Sequence, residues 1–309
     1  MSNLSSDGLW PAMLLTDPSI EVTTRDRDKL GQIAASLPRG SRIFIAGLAA
    51  DSVERTVSTA AEIRRLGHRP VPHIVARNTV SGAELERRLQ RLAEEAGVTA
   101  ALVVGGDADK PAGPYASALE LLQTGHFRKY GFVDLFIGCY PERHPRIEAD
   151  ALDKALGEKL MAVTADGHKA SLISQLCFEA ESIARFTKRL RRVGVEAPLH
   201  VGVAGPAKAA SLLKYAALCG VGPSLRALKE RHGLTRNLMA GITPDSVLAP
   251  LASLMTAEMG AGVAGAHFFT FGSPQKTVEW IEAHRPATAA AAGIRDPAKE
   301  PETSLSVYA

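Results

Sequence analysis

Aromatic residues are scarce: Phe, Trp and Tyr together make up 5% of the 309 residues. That disfavours the stacking platforms on which proteins hold single-stranded nucleic acid. Charge of one sign is scarce too. Lys and Arg number 36 against 33 Asp and Glu, and a net charge of +3 is too small an excess to imply nucleic-acid binding. No apolar run is long enough to span a bilayer. The segment Met1 to Trp10 lacks a basic stretch followed by an apolar one, so neither a membrane anchor nor a secretory leader is expected. The three cysteines, Cys139, Cys177 and Cys219, lie far apart and show no metal-ligand spacing. A sparse, odd set suits a reducing compartment. No Gly-x-Gly-x-x-Gly follows an early strand, which removes the best support for an open dinucleotide-binding sheet. Gly202-Val-Ala-Gly205-Pro has the wrong spacing and reads as a tight strand-to-helix turn, with Pro206 at the first helical position. These absences leave a cytoplasmic protein whose 46% hydrophobic residues can build a large core.

What is present is a regular alternation. Short apolar runs without period-two alternation, as in parallel strands buried on both faces, fall at Ser19–Thr24, Arg42–Ala46, Pro70–Val75, Ala100–Gly105, Phe132–Cys139, Ser171–Leu176, Leu199–Ala204 and Ala266–Phe271. Amphipathic stretches lie between them. Asp51–Leu66 carries Val53, Val57 and Ile63 on one side and meets Gly67. Ser81–Ala96 opens with Ser81 and Glu84, a capping-box pattern. Glu179–Val193 has Ile183, Phe186 and Leu190 at helical spacing and ends in two arginines before Gly194. Eight such units predict a closed α/β barrel, the (β/α)8 or TIM barrel. The connection between the seventh and eighth strands is long enough for extra helices, around Lys208–Cys219, Leu225–Arg231 and Pro244–Met259. Residues 1–285 read as one catalytic domain, and the Ala- and Pro-rich 286–309 as a flexible tail.

In such a barrel, site residues sit at the C-terminal ends of strands. The run from Phe132 to Cys139 stops at Tyr140-Pro-Glu142-Arg-His144-Pro, which presents polar groups at a strand end. Glu21, between Ile20 and Val22, is either a structural carboxylate paired with a base such as Arg25 or a general acid with its pKa raised by a dry interior. His73 and His267 lie in apolar runs and read as core histidines or as ligands. Asp107 follows two glycines, which either let a ligand approach the backbone or make an Asx turn. Gln175 ends a strand with a donor and an acceptor, suited to the edge of a heterocycle.

Taken in order, these segments resemble the methylenetetrahydrofolate reductase family. Ser19-Ile-Glu21-Val is similar to its first strand, Pro72-His73 to Pro-His-Leu-Thr, Gly106-Asp107 to the end of Arg-Gly-Asp, and Tyr115-Ala116 to its Tyr-Ala-x-x-Leu helix start. Tyr140-Pro-Glu-x-His144-Pro matches its most specific signature. Ile173-Ser-Gln175 resembles Ile-Thr-Gln, and His267-Phe-Phe269-Thr resembles His-Phe-Tyr-Thr. The resemblance spans about Ser19 to Thr270. It implies an enzyme of one-carbon metabolism, feeding methionine biosynthesis, that uses FAD to reduce 5,10-methylenetetrahydrofolate to 5-methyltetrahydrofolate. By that resemblance Glu21 and Asp107 would be catalytic. The flavin would meet His73, Gly106, Asp107, Tyr115, Ala116, Tyr140, His144, Asp153 and Lys159, and the folate would meet Gln175 and Phe269. No metal, nucleic-acid or membrane partner is implied, and a homo-oligomer is compatible with it. No regulatory domain follows the eighth unit, so control by a methyl-donor metabolite is not expected.

The chain also departs from the pattern. Gly105 replaces the arginine of Arg-Gly-Asp, and Phe269 replaces a tyrosine. The phenylalanine associated with nicotinamide stacking falls near Ala209, and the lysine before Ile-Thr-Gln falls at Thr164 when counted back from Gln175. Because the departures cluster where donor and substrate tail would bind, weak or no direct use of NADH or NADPH is expected. A flavin-free folate-dependent transferase and a non-catalytic folate-binding barrel are the alternatives.

Overall fold

The computed structural model describes residues 14–208, 210–212, 241–255 and 262–285. Eight parallel strands close into a barrel: β1 (Ser19–Val22), β2 (Arg42–Ile45), β3 (Arg69–Val75), β4 (Ala100–Val104), β5 (Asp134–Cys139), β6 (Lys169–Ser174), β7 (Leu199–Ala204) and, after an excursion, β10 (Val263–Phe269), which pairs with both β7 and β1. The excursion holds a two-stranded antiparallel ribbon, β8 (Ala207–Lys208) with β9 (Gly241–Ile242). The flanking helices are α1 (Leu30–Ala35), α2 (Val53–Arg65), α3 (Gly82–Ala96), α4 (Ala118–Leu122), α5 (His126–Lys129), α6 (Ala149–Ala165), α7 (Ala180–Arg192), α8 (Asp245–Leu254) and α9 (Pro274–His284).

Local chemistry sets the helices. Ser81 Oγ accepts the Glu84 N–H at 3.1 Å, while the Glu84 carboxylate pairs with Arg88 at 2.8 Å rather than reaching back to the cap. The face of α3 formed by Leu85, Leu89, Leu92 and Ala96 is buried against the barrel. Outward-facing strand residues such as Ile20, Ile43, Ile74, Val103, Ile137 and Val203 join that same outer core.

Inward-facing residues stack in tiers. At the N-terminal end, Arg42 forms an ion pair with Asp17, and Arg69 Nε donates to Gly40 O at 2.7 Å. The middle tier is apolar: Phe44, Val71, Leu102, Phe136 and Ile173, with Phe44 and Phe136 edge to face at 5.1 Å. The upper tier is polar, with Glu21, His73 and His267. This layering fills the barrel and leaves its C-terminal mouth for chemistry.

Several boundaries differ from expectation. β5 begins at Asp134, not Phe132, because Phe132 packs edge to face on Phe127 of α5 at 5.6 Å. β10 begins three residues before Ala266, which puts His267 in the body of the strand. Pro206 does not open a helix: the Gly205 N–H is taken by Phe269 O at 2.9 Å, so the chain stays extended into β8. Of the helices expected before the eighth strand, the one at Pro244–Met259 is found as Asp245–Leu254. Leu225–Arg231, most of Lys208–Cys219 and the tail 286–309 lie outside the described residues. No helix among the described residues is long and apolar enough to cross a membrane.

Candidate active site

Two neighbouring arrangements occupy the C-terminal end of the barrel. The first is a carboxylate held by two imidazoles. Glu21 Oε2 lies 3.3 Å from His73 Nε2 and 3.9 Å from His267 Nε2. His267 is fully buried, and its Nδ1 is 3.0 Å from Ser19 Oγ. Phe44 supports both rings edge to face from below, at 6.3 Å for His73 and 4.6 Å for His267. Alternation along β1 aims Ser19 and Glu21 inward while Ile20 and Val22 face the helices.

Glu21 departs from expectation in two ways. It pairs with histidines rather than Arg25. Its carboxyl is also lowered, not raised. Burial pushes it up, but the neighbouring imidazoles, His73 first and then His267, outweigh that. His73 is itself held below the ordinary histidine value by burial and by His267, against the pull of Glu21. The titrations of Glu21 and His73 are therefore coupled.

The second arrangement is a cleft of about 1030 Å³ beyond β4, β5 and β6, walled by α4, α6 and α7. Gly106, Asp107, Ala116, Tyr140, His144, Asp153 and Lys159 all line it. Its volume is at the top of the usual small-molecule range, large enough for a dinucleotide. Its basic residues are Arg77, Arg143, Arg146, Lys159, Arg185 and Arg189, and its acidic residues are Asp107, Asp109, Glu142, Asp153, Glu158 and Glu179. Tyr140 and His144 meet edge to face at 5.2 Å. His144 Nδ1 accepts the Arg146 N–H at 3.2 Å, which leaves the ring proton on Nε2. Burial and Arg146 hold His144 below its ordinary value, so it is a neutral donor near pH 7. A pocket with this volume, spare cations and an aromatic wall fits a flavin dinucleotide.

Not every expected residue joins the cleft. His73 is turned to Glu21, and the Tyr115 hydroxyl lies 3.2 Å from where a Cβ on Gly82 would stand, at the start of α3. Asp153 is ion-paired with Arg189, and Lys159 Nζ donates to Gly138 O at 3.4 Å, with burial lowering its pKa. Gln175 Oε1 accepts the Leu176 N–H at 2.9 Å, so its amide nitrogen is the group best placed for a ligand. Phe269 lies over Gly202, where an added Cβ would stand 2.7 Å from the ring and 2.3 Å from Ser174 O. Glycine at 202 is thus required for β7 to pass under the ring, although the segment around it differs from the family pattern.

Glu142 stands out in the structure, although the resemblance assigns roles only to Tyr140 and His144 of its segment. Only 7% exposed, it accepts the Phe178 and Glu179 N–H groups at 2.9 and 3.0 Å through Oε1 and so ties the Tyr140–His144 turn to the start of α7. Its Oε2 is buried without a hydrogen-bond partner among the described residues. Burial pushes its pKa up to about 7, against the two N–H bonds. The acidic residue one position after a strand-ending proline was the available signal. A carboxyl whose folded pKa is raised destabilises the fold as pH climbs from its ordinary value of 4.5 to about 7. Glu142→Gln keeps an acceptor for both N–H groups. It is expected to flatten that decline and to be more stable than the parent at pH 8, by on the order of 3 kcal/mol. Urea midpoints at pH 5 and pH 8 measure it; an unchanged pH 8 midpoint would count against the raised pKa.

The fold resembles solved structures at low identity. An uncharacterized protein from Clostridium thermocellum that binds two copies of 5-methyl-5,6,7,8-tetrahydrofolic acid is 14% identical, with a TM-score of 0.54 over 92% of this chain and 97% of that one. Dihydropteroate synthase from Thermus thermophilus is 11% identical, with a TM-score of 0.48 over 86% of this chain and 92% of that one. At such identities the first likeness shows the barrel alone, and the second supports no further argument. The sequence itself is more specific. The family model for methylenetetrahydrofolate reductase matches residues 35–283, from α1 through β10 to the end of α9, and with most of the barrel and the whole cleft inside that span, the chain belongs to the methylenetetrahydrofolate reductase family.

Proposed function

We propose that this protein reduces 5,10-methylenetetrahydrofolate to 5-methyltetrahydrofolate with FAD held in the cleft. The observation that carries the proposal is the Glu21 carboxylate, fixed between His73 and His267 at the barrel mouth beside a cleft of dinucleotide size. Binding of methyltetrahydrofolate by the Clostridium thermocellum protein agrees with a folate ligand. When bound, reduced flavin supplies the hydride. The bond from the methylene carbon to one folate nitrogen breaks, a C–H bond forms, and the freed nitrogen takes a proton. Glu21 would deliver that proton. Ionised in the open site, it must first take a proton from solvent, and a pterin that covers its remaining exposed surface raises its affinity for one. Exposed Asp107 at the cleft edge would stabilise positive charge developing on the substrate. The Gln175 amide nitrogen would hold a pterin acceptor, and Phe269 would cover its face.

The test is direct. Purified protein is expected to show a flavin absorption band, and photoreduced protein is expected to be reoxidised by methylenetetrahydrofolate under anaerobic conditions, yielding methyltetrahydrofolate. A colourless protein that takes up no FAD would overturn the proposal and leave the flavin-free transferase or the folate-binding barrel. The donor is a separate question. Gly105 and Phe269 depart from the family on the donor and substrate side, and slow or absent bleaching by NADH and NADPH is expected. Rapid bleaching by either would refute that expectation.

A further inference from the structure

We infer that Arg77, in the turn that follows β3, supplies a cationic contact to the phosphates of a flavin held in the cleft. The inference rests on the flavin reading above. Gly105 follows β4 at the cleft with nothing within 4 Å of where its Cβ would stand. That side-chain space is therefore open. The Arg77 N–H donates to Gly105 O at 2.9 Å, and the Arg77 carbonyl accepts the Ala112 N–H at 2.9 Å. A Cβ on Gly106, whose φ is +94°, would stand 3.5 Å from Arg77 Cβ. The arginine thus leaves the backbone one strand over from position 105, on the same rim.

Its guanidinium is held in place but only partly used. One terminal nitrogen, Nη1, donates to both Ala108 O and Asp109 O, at 3.0 and 3.1 Å. Among the described residues, Nε and Nη2 have no hydrogen-bond partner. The other cations of the cleft are less suited. Arg146 pairs with Asp109 at 3.4 Å, Arg189 with Asp153, and Arg185 donates to Ser182 Oγ at 2.9 Å. Lys159 is drawn to Gly138 O. Arg143 is exposed on a left-handed turn, with φ of 73°. Arg77 combines a fixed backbone, a half-satisfied planar fork and a place on the cleft wall, the combination that favours phosphate recognition by arginine.

The experiment is titration of the purified, flavin-stripped protein with FAD, FMN and riboflavin, followed by flavin fluorescence. Arg77→Ala is expected to weaken FAD and FMN binding by about tenfold or more, as loss of a charged hydrogen bond does, and to leave riboflavin affinity within about twofold. Gly105→Arg added to Arg77→Ala is expected to restore most of the FAD affinity, since position 105 has room for the side chain. Equal losses for FAD and riboflavin would mean that Arg77 only braces the Ala108–Asp109 loop, and the inference fails. Unchanged FAD binding in Arg77→Ala overturns it as well. Wild-type protein that binds no flavin overturns the flavin reading itself, and this inference with it.

Discussion

Glu21→Gln is expected to slow the reoxidation of reduced protein by methylenetetrahydrofolate by about 10²- to 10⁴-fold, the usual contribution of a positioned proton donor. Glutamine keeps the volume and can accept a hydrogen bond from His73 or His267, but it can neither take up a proton nor pass one on. FAD affinity should not change, because the Glu21 side chain contacts His73 and His267 rather than the cleft. The wild-type rate should fall as pH rises, since Glu21 and His73 are both held below their ordinary values and the cluster empties of protons. The variant's pH dependence should be flatter. Anaerobic single-turnover kinetics across pH measure both effects, and a variant rate within about threefold of wild type would remove Glu21 from the mechanism.

Phe136→Ala is expected to destabilise the barrel by about 3–5 kcal/mol, the range for deleting a buried aromatic ring. Phe136 is 1% exposed and lies at the centre of the apolar tier. Its ring meets Phe44 at 5.1 Å, lies under the Arg42 guanidinium at 5.6 Å, and is tilted against His200 at 5.8 Å. Closed strands cannot collapse inward to fill the space, and the cavity would open beside the Arg42 guanidinium. His200, kept neutral first by burial and then by Arg42, would lose its apolar cover. A shift of the urea midpoint with an unchanged slope reports the loss. A loss below about 1 kcal/mol would mean that the tier repacks. Because Phe44 also supports His73 and His267, some loss of the Glu21-dependent rate should accompany it.

The barrel was legible because its signals are local. Apolar runs bounded by glycine and proline marked all eight strands to within a few residues, and Ser81 marked the start of α3. The errors have tertiary causes: Phe132 was drawn to α5, and Gly205 was held by β10. For the site, seven of the nine residues expected to meet a flavin line the cleft. The ordered motifs did not show that His73 and Tyr115 turn away from it, nor that Asp153 is tied to Arg189.

The sequence alone thus determined the fold class, the family and the strand ends that carry polar groups, because periodicity, capping and motif spacing are properties of neighbouring residues. Tertiary structure decided the electrostatics. Glu21 is held ionised rather than protonated because the closed barrel brings first His73, from β3, and then His267, from β10 at the far end of the chain, to its carboxylate. Glu142 became a buried carboxyl of pKa about 7 only when the Tyr140–His144 turn met the start of α7. Charge state depends on burial and on distant partners, and only the closed barrel brings those together.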